Sequence, residues 1–128
     1  MSERFVLDAS ALLAFLHDEP GARIVEKALP LASISSVNFA EVVSKMTDAN
    51  LSPEAIDDVL DPLDLHVIAF DKANAIESGV LRRATRAISL SLGDRACIAV
   101  ARALKATVLT ADRSWAAAEL GCKIEFVR

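Results

Sequence analysis

The sequence predicts a three-layer α/β/α domain, in which a five-stranded, mostly parallel sheet carries helices on both faces. Two observations lead there. Short apolar runs alternate with longer segments of helical character along the whole chain. Strands separated in this way need crossover connections, which make neighbouring strands parallel. Turn and capping signals punctuate the segments, as at Asp18-Glu19-Pro20-Gly21 and Ser52-Pro53. With 128 residues and no linker or repeat, one domain spanning 1–128 is expected, and a chain of this size buries a proper core without staples.

Taken in order, Arg4–Asp8 is a short apolar run ending in a carboxylate and reads as a buried first strand. Ser10–His17 reads as a helix, and Ala22–Leu29 as a second that stops at Pro30. Leu31–Ser35 is a weak second strand, and Ser35 or Ser36 caps a helix reaching about Thr47. Ser52-Pro53 opens a helix ending near Asp61-Pro62, because proline suits the first helical position. Leu65–Phe70 is a third strand, and Asp71 caps a long helix to about Arg86. Gly93-Asp94 opens the most apolar helix, which runs through Leu104 and must be covered on most sides. Thr107–Thr110 is a fourth strand, Arg113–Leu120 a helix stopped by Gly121, and Cys122–Phe126 a fifth strand.

Composition narrows the classes of function. Hydrophobic residues make up 53% and charged residues 25%, which excludes intrinsic disorder. The longest purely apolar runs fall far short of the roughly 18 residues a membrane span needs. The N-terminal residues show no signal-peptide core, and Cys97 and Cys122 lack metal-ligand spacing. Reduced thiols in a cytoplasmic protein are expected. A net charge of −4 argues against gripping nucleic acid through a bulk positive field. It leaves room for an enzyme whose acids hold metal and whose local arginines hold a phosphate backbone.

In a parallel sheet, function collects outside the carboxyl ends of the strands. The pattern places Asp8 after the first strand, Glu41 on the helix after the second, Asp94 in the first turn of its helix and Asp112 after the fourth strand. Two unit charges about 4 Å apart repel by roughly 4 kcal/mol at an intermediate dielectric. A cluster of four must therefore take up protons or cations. Oxygen donors without Cys or His select Mg²⁺ or Mn²⁺ over zinc. Such ions suit phosphodiester hydrolysis, which makes a metal-dependent nuclease the functional reading. Each acid alone has a plainer role. Asp8, Asp94 and Asp112 suit helix caps, and Glu41 suits an i,i+4 pair with Lys45. Asp71 holds an equivalent rim position after the third strand, and pattern alone does not separate it from Asp8.

The segments Val6-Leu7-Asp8-Ala9-Ser10-Ala11-Leu12, Ser36-Val37-Asn38-Phe39-Ala40-Glu41-Val42, Leu92-Gly93-Asp94-Arg95-Ala96-Cys97-Ile98-Ala99 and Leu109-Thr110-Ala111-Asp112 resemble the acidic motifs of PIN-domain ribonucleases. More narrowly, the chain resembles the VapC toxins of bacterial toxin–antitoxin pairs, over essentially its whole length and with the motifs in order. The resemblance implies strand order 3-2-1-4-5, which puts the third strand at an edge and leaves Asp71 a cap. It implies Mg²⁺- or Mn²⁺-dependent cleavage of RNA of the translation machinery by metal-activated water, a homodimer, and neutralisation by a VapB-type antitoxin. Carried over by motif, Asp8, Glu41, Asp94 and Asp112 are the catalytic, metal-binding acids, supported by Ser10 and Thr110.

Arg95 and Arg113 adjoin two of these acids and are the RNA-binding candidates; Arg82, Arg83 and Arg86 form a further cluster. Trp115 suits burial under the last helix, and His17 and His66 suit surface or structural positions. Leu12, Leu13, Phe15 and Leu16 with Val42, Val43 and Met46 fit either ordinary core or a covered partner surface. The rival reading is a non-catalytic regulatory domain of the phosphoacceptor type. It calls for an acidic pair after the first strand and a Lys after the last, where this chain has Asp8 alone and Val127-Arg128.

Overall fold

The apolar run Phe5–Leu7 forms β1, with Val6 and Leu7 fully buried, in a computed structural model that describes residues 3–117 and 119–128. A strand with no polar face must be covered on both sides, and β1 takes the centre of the sheet. It is flanked by Ala32–Ser35 (β2) and Thr107–Thr110 (β4), with His66–Ile68 (β3) and Ile124–Phe126 (β5) at the edges. The order is β3-β2-β1-β4-β5 and every pairing is parallel. The sheet is thus wholly parallel, in the order the resemblance implied.

Alternation along the strands divides the core between two faces. Leu7, Ile34 and Leu109 join Leu12, Val25, Val42 and Ile56 from Ala9–Leu16 (α1), Ala22–Ala28 (α2), Ser36–Asp48 (α3) and Pro53–Leu60 (α4). Val6 and Val108 face the other way, toward Leu81 of Lys72–Thr85 (α5), Ile98 and Val100 of Leu92–Leu104 (α6), and Trp115. Leu12, Val42 and Met46 are therefore core residues, which settles that half of the apolar surplus; Leu13, Phe15, Leu16 and Val43 are half-buried around it.

The caps at Ser35, Ser52 and Asp71 are the expected ones, whereas α6 starts at Leu92 behind Ser91, ahead of the Gly93-Asp94 opening that was expected. Ser35, Ser52, Asp71 and Ser91 each accept a backbone N–H at the start of a helix, and Pro53 occupies the first turn of α4. Asp71 caps α5 through Asn74 N at 2.8 Å, after the edge strand β3 and away from the centre of the sheet. The segment after β4 departs from expectation. Arg113–Ala117 is a 3₁₀ turn in place of a helix to Leu120; Ala118 lies outside the described residues. Trp115 and Leu120 are both buried in the same cluster. Residues five apart stand roughly 140° around an α-helix, so a continuous helix would turn one of them away. The 3₁₀ turn leaves both buried.

Among the described residues, no helix is long and apolar enough to cross a membrane. The two-faced core makes a contrast measurable by urea denaturation. Leu7→Ala should lose about 2–5 kcal/mol through a central cavity. Val80→Ala, at a position 69% exposed on α5, should stay within about 0.5 kcal/mol of the parent. Equal losses would contradict this division of core and surface.

Candidate active site

The chain runs from β1 outward to β2 and β3, then returns to the far side of β1 for β4 and β5. The order therefore reverses between β1 and β4, and the crevice at their carboxyl ends is where such sheets take ligands. Asp8 follows β1 there and is 4% exposed. Its Oδ1 accepts from Ser10 Oγ at 2.7 Å and Ala11 N at 2.8 Å, and its Oδ2 from Thr110 Oγ1 at 2.5 Å. Burial pushes the carboxyl up from 3.8 to about 6, against the pull of these hydrogen bonds, and the charge of Asp94 adds to the rise.

Two hydroxyls tie the strand ends together. Ser10 Oγ donates to Asp8 and accepts from Ala111 N at 2.9 Å. Thr110 Oγ1 donates to Asp8 and accepts from Asp112 N at 3.0 Å. Both are thereby fixed as donors to Asp8. Asp112 joins through this network, while its own Oδ1 accepts from Ser114 N at 2.9 Å.

The other half of the site sits on α3 and α6. Asp94 and Ser91 form a reciprocal capping box, with Asp94 N donating to Ser91 Oγ at 3.1 Å and Ser91 N to Asp94 Oδ2 at 3.0 Å. Glu41 is exposed on α3, and Asn38 Nδ2 donates both to its Oε1 at 2.8 Å and to Gly93 O at 3.0 Å. Asn38 is buried, and its Oδ1 has no protein partner. Glu41 rests against the first turn of α6 because residue 93 lacks a side chain: a Cβ there would stand 2.5 Å from Glu41 Oε1. The Glu41–Lys45 pair is not among the ion pairs of the described residues.

Asn38 and Gly93 were not singled out by sequence reasoning. The available signals were an amide one helical turn before Glu41 and a glycine inside a helix start beside Asp94. Cys97 reports how the halves meet. Its thiol is fully buried and pushed well above the usual range, first by burial, then by Asp8, Cys122, Asp94 and Glu41. The acids do not form a closed cage: among the described residues, no three His, Cys, Asp or Glu side chains stand where they hold one ion together. Each carboxylate leans instead on its own donors.

Of the arginine candidates, Arg95 is buried and donates through Nη1 to Ser78 O at 2.9 Å. Arg113 is exposed, lies 5.0 Å over the Phe126 ring and donates to Arg128 O at 2.9 Å. Trp115 is buried, and His17 and His66 are exposed, as expected.

The PIN domain model matches residues 5–120. The chain belongs to the PIN-domain family. No curated protein matches it. Among solved structures, it is similar to a toxin–antitoxin complex from Klebsiella pneumoniae, at 18% identity and TM-score 0.75 over 99% of this chain and 98% of that one. It is also similar to VapBC-1 from nontypeable Haemophilus influenzae, at 14% identity and TM-score 0.74 over 96% and 97%. A DNA-bound VapBC from Salmonella typhimurium is similar at 20% identity and TM-score 0.70 over 99% and 100%. At these identities the likeness establishes the PIN fold over the full length.

The raised carboxyl of Asp8 sets a pH dependence. Between 3.8 and about 6 the folded chain binds more protons at this position than the unfolded one. Asp8 therefore costs stability as pH rises through that window, up to about 3 kcal/mol above it. Asp8→Asn should melt higher than the parent at pH 7.5 in EDTA, and the gap should close toward pH 4. A destabilised variant across the range would refute the burial of an ionised Asp8.

Proposed function

We propose that this PIN domain is a VapC-type endoribonuclease toxin that cuts RNA of the translation machinery with Mg²⁺ or Mn²⁺. PIN domains are generally nucleases. The observation that carries the reading is the buried Asp8 at the β1–β4 crevice, held by Ser10 and Thr110 and within electrostatic reach of Asp94. Such a site gains most from a positive ion. Its donors are carboxylates and hydroxyls, the hard oxygens that suit these two metals. An open arrangement fits as well, since Mg²⁺ keeps several waters and binds through one or two carboxylates plus substrate phosphate.

In this reading Asp8 and Asp94 are the principal ligands, with Glu41 and Asp112 completing the shell directly or through water. A divalent ion bound there supplies polarisation of the phosphodiester and activation of the attacking water. The chain's own residues set the geometry. Ser10 and Thr110 fix the Asp8 carboxylate and favour its ionised form by donating to it. Asn38 holds Glu41 over α6, and the missing side chain at Gly93 leaves it room. Arg95 and Arg113, each next in sequence to one of the acids, remain candidates for the RNA backbone. The solved structures of similar fold include toxin–antitoxin complexes, which supports a VapB-type antitoxin as the silencing partner. The working form in this reading is a homodimer.

Asp8→Asn and Asp94→Asn should each abolish Mg²⁺-dependent cleavage of bulk RNA while circular dichroism shows a folded chain. Full activity in either purified variant, with contaminating nuclease excluded, would defeat the assignment of these acids. Gly93→Ala separates site geometry from stability. Alanine suits a helix better by up to about 1 kcal/mol, yet displacing Glu41 should lower cleavage roughly 10–100-fold, as for other groups that orient metal ligands. Unchanged turnover in this variant would remove Glu41 from the site.

A further inference from the structure

The acid site poses a problem for its own substrate. Its carboxylates repel a polyanion, and the chain as a whole carries −4. Affinity for a phosphate backbone has to come from a local positive surface. One adjoins the site. A cleft of about 420 Å³ opens between the end of α5 and the start of α6, lined by the guanidinium-bearing residues Arg82, Arg86 and Arg95, with Ser89 and Ser91 between them. Among the described residues, no acidic side chain lines it.

Arg95 is the second observation. The residue is 8% exposed, and its buried Nε has no partner among the described residues. Its hydrogen bond goes to a neutral carbonyl, Ser78 O, and the ion pairs among the described residues do not include it. A buried, unpaired charge carries a desolvation penalty that an opposite charge offsets. Arg82 and Arg86 stand at i,i+4, a spacing at which like charges repel. Three guanidiniums facing one cleft without a carboxylate describe a site for an anion. Their planar forks match phosphate oxygens.

We infer that this cleft binds a backbone phosphate of the RNA on one side of the bond being cut. The inference rests on the ribonuclease reading and names where its substrate is held. Ser91 supplies the connection: it lines the cleft, and its N–H donates to the Asp94 carboxylate at 3.0 Å. One wall therefore serves both places, with Asp94 on the acid side and Arg95, the next residue, on the basic side. A strand laid along that wall meets the acids with one phosphate and the arginines with another.

The test is fluorescence anisotropy of a short 5′-fluorescein-labelled single-stranded RNA in EDTA, where binding proceeds without cleavage, over a salt series. The parent chain should bind, with affinity falling as salt rises. The exposed double variant Arg82→Gln/Arg86→Gln should bind at least roughly tenfold more weakly, with the log–log salt slope reduced by about 0.7 in magnitude, the share of one lost phosphate contact. Arg95→Gln should weaken binding too; because Arg95 is buried, the double variant decides the matter if this one fails to fold. Arg23→Gln, whose parent residue pairs with Asp18 and Glu26, should bind like the parent chain. Unchanged affinity and slope in the double variant would overturn the inference. So would a cleft that takes a polyglutamate peptide but no RNA, which would assign it to an acidic protein partner. If the parent chain cuts RNA with Mg²⁺ while the double variant binds normally, only the cleft assignment falls; if the purified parent chain cuts no RNA with Mg²⁺ or Mn²⁺, the ribonuclease reading falls first.

Discussion

The structure turns on a carboxylate that the fold takes out of water. Asp8 sits where β1 ends and the strand order reverses, and Ser10, Ala11 and Thr110 give it three hydrogen bonds in place of solvent. Those bonds do not offset burial, because the carboxyl still sits near 6. A chain that buries an acid and sets a second, Asp94, within its field stores an electrostatic deficit. In the proposed reading that deficit is what a divalent cation would relieve at the β1–β4 crevice.

The remainder of the fold supplies the pieces around Asp8. A wholly parallel sheet sends the carboxyl ends of its strands to one rim, so acids and hydroxyls that follow different strands meet there. The helices then aim their side chains. The capping box of α6 fixes Asp94, and Asn38 fixes Glu41 across to α6. The contact of Glu41 with Gly93 shows how tightly the two helices are fitted at that rim. Against this acid centre, Arg82, Arg86 and Arg95 place positive charge on the adjoining wall. In the proposed reading, separating the two signs would let one small domain with an acidic balance both attract a backbone and hold the ion that activates the attacking water.

Much of this was legible in the sequence, for physical reasons that differ from residue to residue. The strand β1 was readable because a short apolar run with no polar face fits a buried parallel strand and little else. The start of α4 and, to within a turn, that of α6 were readable because Ser52-Pro53 and Gly93-Asp94 carry helix-start chemistry of their own. Asp8, Glu41, Asp94 and Asp112 were marked by position after strands, and Asp71 was separated from them by its edge strand once the order was known. The helix expected over Arg113–Leu120 was misread because alanine-rich composition favours a helix locally, whereas Trp115 and Leu120 compete for the same core and win. Asn38 and Gly93 were illegible for a different reason. Their importance lies in a contact between α3 and α6, and no local pattern encodes the approach of two helices distant in sequence. Arg95 was marked as a candidate by its place beside Asp94, but its burial and unpartnered Nε emerge only when everything around it has been placed.

The most direct measurement is anomalous diffraction from crystals soaked in Mn²⁺. An ion seated between the Asp8 and Asp94 carboxylates, with Glu41 turned toward it, is the predicted result. Manganese bound elsewhere on the chain, with the β1–β4 crevice left to water, would contradict the role assigned to the buried acid.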